Sequence, residues 1–289
     1  MTPESLDPRR HAYRDDLAAE ALRGKVSAPR YAAGEPAQAV QAAAPVRGSP
    51  DARGSWTTEA LFGEIVTVYD QRDGWAWVQL ERDGYVGYLR ASALSAQVKP
   101  PTHRVKALGS LLYTAADIKA APWMQLSMNA MLAVAEMGET FARLEDGSFV
   151  PARHIAEQGR FAPDFVAIAE RFVGTPYLWG GKTRAGLDCS ALLQVAMHAA
   201  GFDCPRDSDM QQAEVGEAVA IKADLDGLMR GDLVFWPRHV GIMVDAHLLL
   251  HANAHNMAVV VEPVRGAVDR IARGGSAIAA VKRLEAKGV

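Results

Sequence analysis

GLDCSALLQVAMHAAG, residues 186–201, decides how the rest of this chain is read. From Ser190 onward it carries an apolar stripe of Leu192, Leu193, Ala196, Met197 and Ala200 at helical spacing, and Gly201 stops it. Asp188 stands in the N-cap position, which places Cys189 in the first turn. Upstream, PDFVAIAERFVG (163–174) predicts a second helix, with Phe165, Ile168, Ala169 and Phe172 on one face. Downstream come five strand-like runs: DLVFW (232–236), HVGIMVD (239–245), HLLLHA (247–252), MAVVVE (257–262) and AIAAVKRL (277–284). Helices followed by a run of strands argue for an α+β domain, helices packed on an antiparallel sheet, over 159–289.

The chain ahead of 159 has a different character. EIVTVYD, WAWVQLE and YVGYLRA (64–91) alternate apolar with polar residues, and two RDG tripeptides mark turns, so 39–98 reads as one small β unit. RVKALGSLLYT and AVAEMGETFARLEDGSFVPARHI place a second over 99–158, beyond the paired prolines of VKPPT (98–102). Two units of this size suit a tandem pair of small barrels. Residues 1–38 read as a short amphipathic helix over 7–24, anchored by Leu17 and Leu22, then an extended connector through the Ala/Pro/Gly-rich stretch 32–45.

Composition narrows the function. With 289 residues, 49% hydrophobic, 22% charged and a net charge of -3, this is an ordinary globular composition with room for two or three domains. There is no dense Lys/Arg block, which argues against a nucleic-acid partner or a charged membrane surface. The N-terminal 24 residues lack the apolar core of a secretory signal, and only Cys189 and Cys204 are present. The expected setting is therefore cytoplasmic and reducing. Neither HExxH nor GxxxxGK[ST] occurs, and no metal or organic cofactor is expected.

Cys189 is either a buried small residue or a nucleophile. At the mouth of a helix the dipole favours thiolate, and nucleophilic cysteines use that placement beside a base. A hairpin centred on Asp245 would set His239 opposite His251, Val240 opposite Leu250 and Ile242 opposite Leu248. The apolar pairs then bury one face and leave two imidazoles together on the other, so that one orients the next as in a triad. His247 shares their parity, and only its place in the turn argues against it.

PYLWGGKTRAGLDCSALLQ (176–194), PRDSDMQ (205–211), GDLVFWPRHVGIMV (231–244) and LHANA (250–254) together resemble the NlpC/P60 family of papain-like cysteine peptidases. The resemblance covers about 160–289, and the two upstream β units resemble the paired bacterial SH3-like domains of one branch. That branch comprises γ-D-glutamyl-L-diamino acid endopeptidases, which recycle murein peptides. The resemblance implies Cys189 as nucleophile, His239 as general base and His251 as the orienting third residue. It further implies that the Tyr177 hydroxyl and the Cys189 N–H hold the oxyanion. Trp179, Asp188, Ser190 and Ser208 match positions lining the substrate groove, Asp188 receiving the free α-amine of L-Ala-γ-D-Glu. From the first SH3-like unit, Glu64 and Tyr85, with Tyr88 as competitor, match the amine-binding pair. The partner so implied is a murein peptide, with meso-diaminopimelate or lysine after the scissile bond. The alternatives are a papain-like amidase or acyltransferase of other specificity, or a wall-binding module with an inactive third domain. Cys204, in GFDCP (201–205), matches no functional position and reads as a buried small residue.

Overall fold

The structure, a computed structural model, describes residues 6–220, 222 and 224–285; residues 1–5 and 286–289 of the expected terminal segments lie outside them. The chain divides into two compact units, Met1–Gln158 and Gly159–Val289.

In the first unit a seven-stranded sheet runs in the order Leu94–Ser95, Glu35–Ala39, Ile65–Arg72, Trp75–Leu80, Val86–Arg90, Ala43–Arg47 and Trp56–Leu61. Asp73 and Gly74 turn the central hairpin with φ of 52° and 77°, and Arg72 pairs directly with Trp75. A two-residue loop with both residues left-handed matches the twist of its strands, and the first RDG supplies it. Val46, Ala60, Val66, Ala76, Val78, Leu80 and Leu89 bury completely inside this sheet. Beyond it lie a five-stranded and a three-stranded sheet around a second core of Val105, Leu112, Leu126, Leu132, Ala142 and Val150. Phe62 from the first module packs on that second core. Its carbonyl accepts the Met131 N–H at 2.8 Å, and a Cβ on Gly63 would sit 1.9 Å from the Met131 oxygen. Only glycine lets the two modules approach so closely.

Two expectations fail in the N-terminal segment. Residues 7–24 form no α-helix; they give strands Tyr13–Arg14 and Leu17–Ala19 and a single 3-10 turn, Glu20–Leu22. The reason is visible in the ion pairs Arg9–Asp7 and Arg14–Asp16, which join residues two apart. On a helix, side chains meet at three or four apart, so this spacing serves turns and extended chain. Leu17 and Leu22 are buried as expected, with Ala12, Ala19 and Trp77. The supposed connector is likewise no linker, since it supplies Glu35–Ala39 and Ala43–Arg47 to the seven-stranded sheet.

The second unit is α+β, as its order of elements predicts. Helix α1 (Phe165–Glu170) starts where the Asp164 carboxylate accepts the Val166 N–H at 2.8 Å. Helix α2 (Cys189–Ala199) is buried along its whole length, and α3 (Ser208–Glu214) follows it. The sheet is antiparallel throughout, in the order Glu217–Ala218, Ala280–Arg283, Leu233–Trp236, His239–Met243, Leu248–Asn253 and Ala258–Pro263. Helix α4 (Val264–Arg273) follows the last of these strands and buries Val264 and Ala267 in the core cluster of Trp236, Met243 and Leu249. None of the described helices is long and apolar enough to cross a membrane.

Candidate active site

The site is built from the mouth of α2 and the strands at the middle of the sheet. Asp188 caps α2, its Oδ1 accepting the Ala191 N–H at 2.9 Å. It also accepts from Gly180 N–H (2.9 Å), the Ser190 hydroxyl (3.1 Å) and two Arg206 nitrogens (3.0 and 2.7 Å). Arg206 is 1% exposed, so this is a buried ion pair that fixes the helix mouth from three chain segments. A carboxylate offers about four lone-pair sites, and these donors fill them. The resemblance implies that Asp188 receives a substrate amine; its observed contacts cap the helix and pair with Arg206. Ser190 also points inward, accepting Arg206 Nη1 at 2.8 Å.

The cysteine sulfur is buried, and the nearby backbone N–H groups of Val240 and Ser190 favour its thiolate. The first of these brings it to the start of the His239–Met243 strand, beside His239 in sequence. His239 Nε2 lies 2.9 Å from His251 Nδ1, so the two imidazoles do meet. They do not meet by the expected register. Ile242 pairs with Leu250, not Leu248, a slip of two residues. Asp245 accepts the N–H groups of both His247 and Leu248, and that longer turn moves the hairpin centre to Ala246. A two-residue slip keeps every side chain on its face, so the histidines reach each other diagonally rather than directly. His247 is exposed in the turn, away from the pair.

Electrostatics reverse one expectation. Burial, with the Asp188 charge next, pushes the Cys189 thiol up to about 12. Burial, followed by His251, pushes His239 down to about 3. His251 is also lowered, again chiefly by burial. A helix dipole contributes at most about 2 kcal/mol, and the loss of water around the sulfur outweighs it. A raised thiol and a lowered imidazole both favour the neutral forms, which suits proton transfer during attack rather than before it. Alkylation of Cys189 by iodoacetamide should therefore be slow at pH 7 and still climbing at pH 9.5. The sign follows from the raised pKa: thiolate keeps forming above the pH, about 8.5, at which a free thiol is half ionised. A rate plateau at or below pH 7 is the signature of a preformed ion pair and contradicts this.

Tyr177 is half-buried, and burial first, then the negative charge of Asp188 and of Cys189 whenever it is a thiolate, keep its hydroxyl protonated. Trp179 is 60% exposed, and Ser208 opens α3 at intermediate burial. In the first unit, Glu64 accepts the Leu61 N–H at 2.9 Å while its own N–H returns to the Leu61 carbonyl. Tyr85 is buried there, and Tyr88 accepts from Arg14 at 3.3 Å. These contacts lie inside the first unit. Cys204 is buried, and its carbonyl accepts Gln194 and faces His198 Nε2 at 3.1 Å.

Three residues of this site were not anticipated. Arg206 lies inside PRDSDMQ but only the fold brings it to Asp188. Glu262 Oε1 sits 2.7 Å from His251 Nε2, and Arg270 of α4 holds the same carboxylate at 2.7 Å. Helix α4 itself had a legible stripe, Val264, Ala267, Val268 and Ile271 at i, i+3, i+4 and i+7.

Residues 174–270 match the model of the NlpC/P60 family, and residues 46–94 that of the bacterial dipeptidyl-peptidase SH3 domain. Over 223 residues the chain is 28% identical to the gamma-D-glutamyl-L-lysine dipeptidyl-peptidase of Bacillus subtilis (strain 168), covering 68% of this chain and 71% of that one. It is 36% identical over 103 residues to dipeptidyl-peptidase 6 of Lysinibacillus sphaericus, but this spans only 35% of the chain and 36% of that relative. A solved NlpC/P60 family protein from Bacillus cereus ATCC 10987 shares the fold, with a TM-score of 0.71 at 20% identity, over 86% of this chain and 99% of that one.

Proposed function

We propose that this chain, whose residues 174–270 match the NlpC/P60 family, is a cysteine peptidase that cuts the γ-D-Glu–diamino acid bond of murein peptides with a free N-terminal L-Ala. The observation that carries the proposal is a buried thiol at a helix mouth, near the Val240 amide that follows His239 of a hydrogen-bonded histidine pair. Cys189 attacks the γ-carbonyl as its proton passes to His239, giving a tetrahedral oxyanion. Tyr177 and the Cys189 N–H face that charge. Collapse forms a thioester and releases the diamino acid, whose nitrogen takes the proton from His239. Water, deprotonated by His239, then frees L-Ala-γ-D-Glu and restores the thiol.

Trp179 and Ser208, the members of the implied groove set least occupied by the fold, are placed along the peptide. Asp188 and Ser190 act from behind by holding the helix mouth. Similarity to a gamma-D-glutamyl-L-lysine dipeptidyl-peptidase supports the substrate class. A demand for a free amine suits recycling of soluble peptides in the cytoplasm, where we place the reaction; cell fractionation reads that placement.

Mass spectrometry of products from L-Ala-γ-D-Glu-L-Lys, its meso-diaminopimelate counterpart and the N-acetylated form of each tests the specificity. Expected are L-Ala-γ-D-Glu and free diamino acid from the unblocked peptides, and at least a tenfold loss of rate on acetylation. Equal cleavage of blocked and free peptides favours an amidase of broader specificity. Binding to sacculi without cleavage of any peptide favours an inactive wall-binding module.

A further inference from the structure

Resting on the peptidase reading above, we infer that Glu262 is a positioning residue for the histidine pair, fixing through His251 which nitrogen of each imidazole carries its proton. Glu262 is the penultimate residue of the strand Ala258–Pro263, beside the strand that carries His251. Its Oε1 is 2.7 Å from His251 Nε2, and His251 Nδ1 is 2.9 Å from His239 Nε2. A carboxylate can only accept, so an ionised Glu262 requires the N–H on His251 Nε2. His251 Nδ1 is then an acceptor and takes the N–H of His239 Nε2. That leaves Nδ1 as the unprotonated nitrogen of His239, the one available to the Cys189 proton.

Two neighbours bear on this assignment. The Asn253 amide nitrogen lies 2.9 Å from the same His251 Nε2, and as a donor it favours the opposite tautomer. Its oxygen is already engaged by the Asn256 N–H at 2.7 Å, so the amide is not free to turn over. Arg270 decides the competition. Its guanidinium donates to both Glu262 oxygens, one at 2.7 Å, and keeps the carboxylate ionised at a site only 20% exposed. A charged acceptor at 2.7 Å outbids a neutral amide at a longer distance. No proton reaches Glu262 in the cycle. When His239 becomes imidazolium, its Nε2–H still donates to His251, and the carboxylate charge stands two hydrogen bonds away.

The test combines kinetics with histidine nitrogen NMR on the full chain. In the wild-type protein, two-bond proton–nitrogen spectra should place the proton of both His239 and His251 on Nε2. A proton on Nδ1 of resting His251 overturns the inference without any substitution. In Glu262→Gln, whose amide can donate as well as accept, His251 should become a mixture of tautomers. There kcat should fall about 10- to 100-fold with KM within about twofold, as for other residues behind a catalytic group. Unchanged tautomers or a kcat within twofold of wild type overturns it. Cys189→Ala separates the two layers. If that variant is dead while Glu262→Gln is fully active, the relay alone is wrong. If Cys189→Ala still cleaves, the peptidase reading falls and the relay with it.

Discussion

Cys189→Ala is expected to lose on the order of 10⁵-fold or more in kcat, the scale seen when a covalent nucleophile is deleted from a working constellation. Nothing else among the described side chains stands ready to replace the sulfur. Ser190 is committed to Asp188 and Arg206, and Cys204 is buried against Pro205 and Gln211. The variant should still fold, because the substitution leaves the Asp188 cap and every helix contact in place, at a cost of about 1 kcal/mol. Product release from L-Ala-γ-D-Glu-L-Lys and a thermal melt measure both parts. Residual turnover above a few per cent in a well-folded variant removes Cys189 from the chemistry.

Arg206→Met should be the most damaging single change to stability. It leaves the Asp188 carboxylate, with its side chain 9% exposed, without its counter-charge. Breaking one side of a buried ion pair typically costs about 3–5 kcal/mol, because the remaining charge is stranded out of water. In a domain of this size that corresponds to a fall in Tm on the order of 10–20 °C. The double variant Arg206→Met/Asp188→Asn should recover much of it, since the stranded charge is gone. A single variant within about 1 kcal/mol of wild type means that the pair does not set the helix mouth.

Local pattern carried the sequence reading a long way at the sheet and at α2. DLVFW, HVGIMVD and HLLLHA became Leu233–Trp236, His239–Met243 and Leu248–Asn253 because alternation and burial agree there. The parity argument for His239 and His251 also held, since a two-residue slip preserves parity; the slip itself came from Asp245 capping two amides, which no period reveals. Residues 7–24 misled because their charges look helical in composition while their pairing at two apart is not. Arg206, 18 residues from Asp188, and Glu262, 11 from His251, were out of reach for a different reason. Their partners are chosen by tertiary packing, and a carboxylate or guanidinium carries no periodic signature of what it will meet. The shift on the thiol was out of reach for the same reason. A helix mouth is legible in sequence, whereas the dryness around a sulfur is not.

The thiol mechanism is tested most directly by an L-Ala-γ-D-Glu analogue whose γ-carbonyl carries a thiol-reactive electrophile. Peptide mapping by tandem mass spectrometry should find one adduct, on Cys189, absent from His239→Ala and suppressed by excess unmodified peptide. An adduct on Cys204, or none at all while the peptide is still cleaved, contradicts a reaction carried by the Cys189 sulfur.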